Sequence, residues 1–145
     1  MKILVQRVTQ AQVEVEGSIV GAIGHGSLVF IGVTHGDTQL HASWLANKLI
    51  HLRMFEDDQG KMNQSLLERK GQMLIVPQFT LYADCLVGRR PSFTKAAEPE
   101  LAKQLYESFV KEVRQAGITV ATGLFGAKMK VSLINEGPVT FILER

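Results

Sequence analysis

"MKVSLINEGPVTFILER", residues 129–145, decides how this chain closes its sheet. Its flanks carry the apolar residues and β-formers of a strand, yet Gly137-Pro138 stands in the middle. Proline removes a ladder hydrogen bond and glycine weakens strand packing, so the pair does not suit an ordinary central strand. One reading is a turn between two short strands, since Gly and Pro punctuate turns. The other keeps strand segments over 129–143 around the dipeptide and makes the backbone there the functional group.

Working outward, "KILVQRVT" (2–9) and "QVEVEG" (12–17) alternate apolar and polar residues as half-buried strands do. "SLVFIGV" (27–33) and "QMLIVPQFTLY" (72–82) read as buried strands. Asp37 is placed to cap a helix running to about Leu52, with Leu45, Leu49 and Leu52 on one face. "FEDDQGKMN" (55–63) reads as a polar turn and "VGRRPSFTKAAEP" (87–99) as a loop. Pro99 opens a second helix with Leu101, Leu105, Phe109 and Val113 on one face. "GITVATG" is a short strand. A strand pair, then strand–helix units, then strands imply an α/β fold: a mixed, barrel-like β-sheet in strand layers, with helices packed on one side.

The 145 residues suit one domain, 1–145, with no linker or repeat. Net charge is +2, so a nucleic-acid partner needs a local basic patch. The single cysteine, Cys85, excludes an internal disulfide and fits a reducing, cytoplasmic compartment. No apolar stretch approaches the roughly 20 residues of a membrane span, and "MKILVQRV" is no signal peptide.

Familiar catalytic sets are missing. His25, His35, His41 and His51 are scattered, with no Cys pair or H-E-x-x-H, so no metal is expected. "GAIGHG" lacks the Lys-Ser/Thr end of a phosphate loop, and no serine sits in a G-x-S-x-G elbow. Cys85 after a buried strand reads as structural rather than nucleophilic. An enzyme built from these residues must draw much of its chemistry from backbone groups and from the substrate.

"FEDDQGKMN", "PQFTL" (77–81), "GRRPSF" (88–93) and "NEGPVT" (135–140), in that order and spacing, resemble the D-aminoacyl-tRNA deacylase family. Its signatures are a Ser-Gln-Phe-Thr strand end and an Asn-x-Gly-Pro-Val-Thr segment, and the likeness spans essentially the whole chain. The resemblance implies hydrolysis of the ester joining a D-amino acid to the 3′ end of tRNA, extending to glycine mischarged on tRNA(Ala). It implies a homodimer with two composite sites, no cofactor, and a cis Gly-Pro peptide reaching into the partner's pocket. Gln78, Phe79 and Thr80 match the strand-end signature, and Gly137 and Pro138 match the selecting dipeptide. Phe125 and Met129 match positions lining the pocket near the terminal adenosine, and Arg7 matches an arginine that holds the Gly-Pro segment. Pro77 departs from the family's serine and offers neither a hydroxyl nor an N–H.

Apart from the resemblance, Arg89, Arg90, Lys128 and Lys130 are candidates for phosphate contacts, set against a merely solvated charged surface. The amides of Phe79 and Thr80 are the expected oxyanion donors, with Thr80 as a positioner and Gln78 orienting substrate or water. Two rival readings stand beside the hydrolase: a non-catalytic nucleic-acid-binding homodimer and a structural dimerisation domain. Few exposed aromatics are expected near the basic residues, which counts against the first.

Overall fold

The computed structural model describes residues 1–145. Strand β1 (Lys2–Val15) is followed by β2 (Ser18–Ile23) and β3 (Gly26–Gly32). Together β2 and β3 run antiparallel along β1: Val15 faces Ser18, Val8 faces Gly26 and Lys2 faces Gly32. Helix α1 (Gln39–Ile50), the small β4 (Phe55–Glu56) and β5 (Met62–Gln64) hairpin and α2 (Leu66–Arg69) then lead to β6 (Gln72–Pro77). A 3-10 turn (Phe79–Tyr82), helix α3 (Pro99–Gln115), β7 (Thr119–Thr122) and β8 (Lys130–Glu144) complete the chain.

β6 pairs parallel to β3, β7 pairs parallel to β6, and β8 covers the other edge of β1. The mixed sheet curls until β2 approaches β7, nearly closing a barrel. Gly21 permits that approach, because a Cβ there would stand 2.5 Å from the Thr122 carbonyl oxygen. Alternation along the strands feeds two cores. Leu28, Leu74 and Val76 join Val8, Val13 and Ile23 in the smaller core. Val29, Ile31, Met73 and Ile75 face the other way, into a larger core shared with α1 and α3. Burial on both faces explains why these strands read as continuous apolar runs.

α3 begins at Pro99 and buries Leu105, Phe109 and Val113, as its periodicity implies. Four local expectations need correction. The strand pair expected over 2–9 and 12–17 is one strand, β1, because its alternation of buried and exposed residues runs on through Thr9–Ala11. Thr38, not Asp37, caps α1, and its amide donates to His41 Nδ1 at 2.9 Å. The Asp37 carboxylate instead accepts from the Met1 ammonium at 2.6 Å and the Thr34 amide at 2.8 Å. The strand expected over 72–82 stops at Pro77, which has no N–H of its own; one more bond to β3 follows, from the Gln78 amide, and the chain turns into the 3-10 segment. The polar stretch 55–63 contains most of the β4–β5 hairpin rather than a plain turn.

The last strand settles the opening question differently from a hairpin turn. Both halves of β8 pair antiparallel with β1, so the chain does not reverse at Gly137-Pro138. Gln6 faces Thr140 and Val8 faces Asn135, so two steps along β1 span five along β8. The surplus forms a wide bulge, which re-aims backbone out of a ladder.

Gly26 lies where β3 meets β6, and an added Cβ would stand 1.8 Å from the Gln72 carbonyl oxygen. Gly26→Ala is expected to cost about 3 kcal/mol, at the upper end for overpacking, by prying the parallel pair apart. Urea denaturation measures it; a loss below about 0.5 kcal/mol would contradict the tight pairing.

Candidate active site

β3 and β6 end side by side, and a cavity of about 470 Å³ opens beyond their carboxyl ends. Ligands of α/β sheets bind at such strand ends. Pro77, Gln78 and Phe79 form one side, Phe125 and Met129 another, and Ala97, Pro99 and Tyr106 a third. Three of the lining residues beyond the expected set, Pro99, Ala102 and Tyr106, come from α3. Their signal in the sequence was only helical, a proline at the start and an apolar face, which says core rather than cavity. Tyr106 donates its hydroxyl to the Ile75 carbonyl at 3.0 Å. Burial pushes its phenol well above the ordinary value, so it stays a neutral donor.

The Gln78–Thr80 segment leaves β6 under firm control. The Gln78 amide donates to the Ile31 carbonyl at 2.8 Å, extending the register of β6 against β3. The first bond of the 3-10 turn runs from the Leu81 amide to the Gln78 carbonyl at 3.2 Å. Phe79 and Thr80 precede it, so their amides have no partner inside the turn. Gln78 Nε2 donates to Thr80 Oγ1, fixing that hydroxyl. No carboxylate, imidazole, amine, guanidinium or thiol lines the cavity. No group of three or more His, Cys, Asp or Glu side chains anywhere in the chain could hold a metal ion.

Gly137 and Pro138 are brought together with Arg7 but are not among the residues lining this cavity. Their peptide bond is cis, and both residues are exposed on the β8 bulge. Arg7 is 5% exposed, and three residues engage it. Its Nη1 donates to the Met54 carbonyl at 3.0 Å. Its Nε donates to the Glu136 carbonyl at 3.2 Å and lies 3.3 Å from the Glu136 carboxylate. Its Nη2 approaches Glu56 at 3.4 Å. Asn135 Nδ2 donates across the bulge to the carbonyls of Arg7 and Val139 at 3.0 and 3.2 Å. Val139 plugs the bulge into the larger core.

The four phosphate candidates are dispersed. Lys130 pairs with Glu14 at 3.3 Å, and Lys128 shares a cleft with Glu14 and Glu16. Arg89 and Arg90 stand on an exposed loop closed by Asp84 and Ser92, whose amides and carbonyls bond both ways at 2.8 and 2.9 Å. The Leu86 amide and Lys95 hold the Asp84 carboxyl below its usual range. Aromatics do accompany this loop, contrary to expectation. Phe79, 56% exposed, meets Phe93 edge-on at 5.2 Å. The sequence could not place them together because the loop folds back.

The family model described as D-Tyr-tRNA(Tyr) deacylase matches residues 4–144. The chain belongs to that family. It is a hydrolase acting on ester bonds, as the sequence implied. D-aminoacyl-tRNA deacylase of Desulfotalea psychrophila is 55% identical over 144 residues, covering 99% of this chain and 97% of that protein. The protein of the same name from Geobacter sulfurreducens is 58% identical, covering 99% and 95%. Among solved structures, the c-Myc DNA unwinding element binding protein superposes with a TM-score of 0.93 at 40% identity, covering 100% of this chain and 99% of that one. A probable eukaryotic D-amino acid tRNA deacylase reaches 0.85 at 22% identity, covering 98% and 97%, and shares the fold. No helix is long and apolar enough to cross a membrane.

Arg7→Met should cost about 2 kcal/mol, the scale of losing hydrogen bonds from a charged group. Hydrogen exchange should accelerate selectively at the amides of Asn135, Glu136, Gly137 and Val139. Unchanged protection there would show that the bulge does not depend on the guanidinium.

Proposed function

We propose that the enzyme hydrolyses the ester joining a D-amino acid to the 3′ end of tRNA, releasing both, and that it also accepts glycine mischarged on tRNA(Ala). The observation that carries this reading is an apolar cavity with no ionisable base, beside two amides left without partners by the 3-10 turn. An aminoacyl ester is an activated substrate, so stabilising the oxyanion is the main demand. The amides of Phe79 and Thr80 donate to that oxyanion, each worth about 2.7–4 kcal/mol. Water attacks the carbonyl carbon, aided by the substrate's vicinal 2′-hydroxyl. The ester C–O bond breaks, and the proton passes to the departing ribose oxygen. Gln78 orients substrate or water, since an amide is no base near neutral pH. Thr80, held by Gln78, positions rather than attacks, because a threonine nucleophile needs a base beside it. Pro77 removes the family's serine hydroxyl from any role here.

In this reading a second copy of the chain completes the site. β8 pairs only with β1, leaving its outer edge without a strand, and Ile134 and Ile142 on it are 53% and 66% exposed. A homodimer covers that surface and carries Gly137 and Pro138 into the partner's cavity. Their carbonyls then face the substrate's α-carbon and amino group. A D-residue turns only hydrogen toward them, an L-residue drives its Cβ into the backbone, and glycine passes. Each tenfold of discrimination needs only about 1.36 kcal/mol.

A second reading, nucleic-acid binding without hydrolysis, draws on Phe79 and Phe93 beside Arg89 and Arg90, and on the name of the DNA unwinding element binding protein. Assays on purified protein with chelator present separate the two. D-tyrosyl-tRNA should be deacylated at least 100-fold faster than L-tyrosyl-tRNA, a difference of about 2.7 kcal/mol. Similar rates on both would overturn the chiral filter, and binding without turnover would favour the second reading. Sedimentation should give a dimer burying about 2,000 Å² or more; a fully active monomer at micromolar concentration contradicts the composite site.

Thr80→Ala should slow D-tyrosyl-tRNA hydrolysis about tenfold, the worth of one hydrogen bond. Complete loss with unchanged binding, or an acyl group trapped on Thr80 in the wild type, would make the threonine a nucleophile instead.

A further inference from the structure

A groove of about 650 Å³ runs beside the ester cavity, between α3 and the chain leaving β7. Tyr106 and Phe125 belong to both, so the two spaces share a wall, with the rings 6.0 Å apart. The α3 side of the groove presents Lys103, Lys111 and Arg114. Offsets of eight and eleven residues keep them on one helical face, spread over about 16 Å of axis. Only one acid, Glu107, lies among them, and it stands 3.8 Å from Lys103. Lys111 and Arg114 are exposed and make no ion pair.

The other cleft beside the cavity differs in charge. It holds Lys128 and Lys130 against Glu14 and Glu16, with Lys130 already paired, so its net charge is near zero. Of the two clefts that share walls with the cavity, only the one along α3 offers a polyanionic strand uncompensated positive charge.

Resting on the deacylase reading, we propose that this α3 groove binds the phosphates of the single-stranded 3′ end of tRNA as it leaves the cavity. Lys111 and Arg114 are the principal contacts, and Lys103 is held in part by Glu107. Such contacts fix the path of the backbone and read no base. They let one enzyme serve tRNAs of different sequence.

Uncharged tRNA, titrated into the full protein between 50 and 500 mM NaCl by fluorescence anisotropy, tests the groove independently of hydrolysis. Losing two single-strand phosphate contacts flattens the slope of log affinity against log salt by about 1.4, roughly a 25-fold weakening at 0.1 M salt that fades toward 1 M. K111Q/R114Q should show both effects with an unchanged Tm. K48Q/K61Q removes the same charge from residues lining neither space, and it should keep the wild-type slope. Equal slope and affinity for K111Q/R114Q and wild type overturn the groove, as does an equal loss in K48Q/K61Q. The functional reading is judged separately on D-tyrosyl-adenosine, which has no phosphate. Wild-type failure to hydrolyse it would remove that reading while a changed tRNA slope still upholds the groove.

Discussion

One guanidinium holds the bulged last strand of this molecule in shape. Arg7 sits on β1 opposite the bulge of β8, almost fully buried, and ties together three segments far apart in sequence. A buried cation is costly unless its donors are satisfied. Here two carbonyls and two half-exposed carboxylates satisfy them. The same contacts pin Glu136, and with it the exposed Gly137-Pro138 backbone. Asn135 supplies the hydrogen bonds that the interrupted ladder cannot. The bulge is thus held from both flanks, by charge on one and by an amide on the other.

Much of this was legible in the sequence, for physical reasons that differ by element. α3 announced itself through Pro99 and its apolar stripe, because helix start and helix face are local properties. The strands over 27–33 and 72–77 were legible as buried because both faces are covered. The extent of β6 was misread because Thr80, Leu81 and Tyr82 have strand propensity, while the proline that ends the ladder acts through a missing N–H. Asp37 looked like a cap because nothing local reveals that the Met1 ammonium competes for its carboxylate. The site divides the same way. Gln78, Phe79, Phe125 and Met129 were identified by motif and do meet around one cavity. Tyr106 and Phe93 were not, because each owes its position to tertiary packing.

The cavity offers shape and one side-chain amide, that of Gln78, but no carboxylate, imidazole or amine. Its walls come from elements whose positions are set elsewhere: β6 by its parallel register with β3, α3 by the larger core, and the 3-10 turn by Pro77. Pro77 illustrates the economy. At the place where a hydroxyl would be expected, a residue with no donor at all ends the strand, and the 3-10 turn follows one residue later.

The pairing of β1 with β8 has a consequence for how the protein is made. Gln6 hydrogen-bonds Thr140 across 134 residues of chain, and the same two strands stay in register to Lys2 and Glu144. A ribosome delivers β1 first and β8 last, so the nascent domain spends most of its synthesis with one edge of its central strand unsealed. Contacts of such sequence separation form slowly, and open strand edges invite pairing with other chains. The early hairpin of β1 with β2 and β3 can assemble during synthesis, but β8 must arrive before Arg7 can reach Glu136. Final closure of the sheet and shaping of the Gly137-Pro138 bulge are therefore one late event.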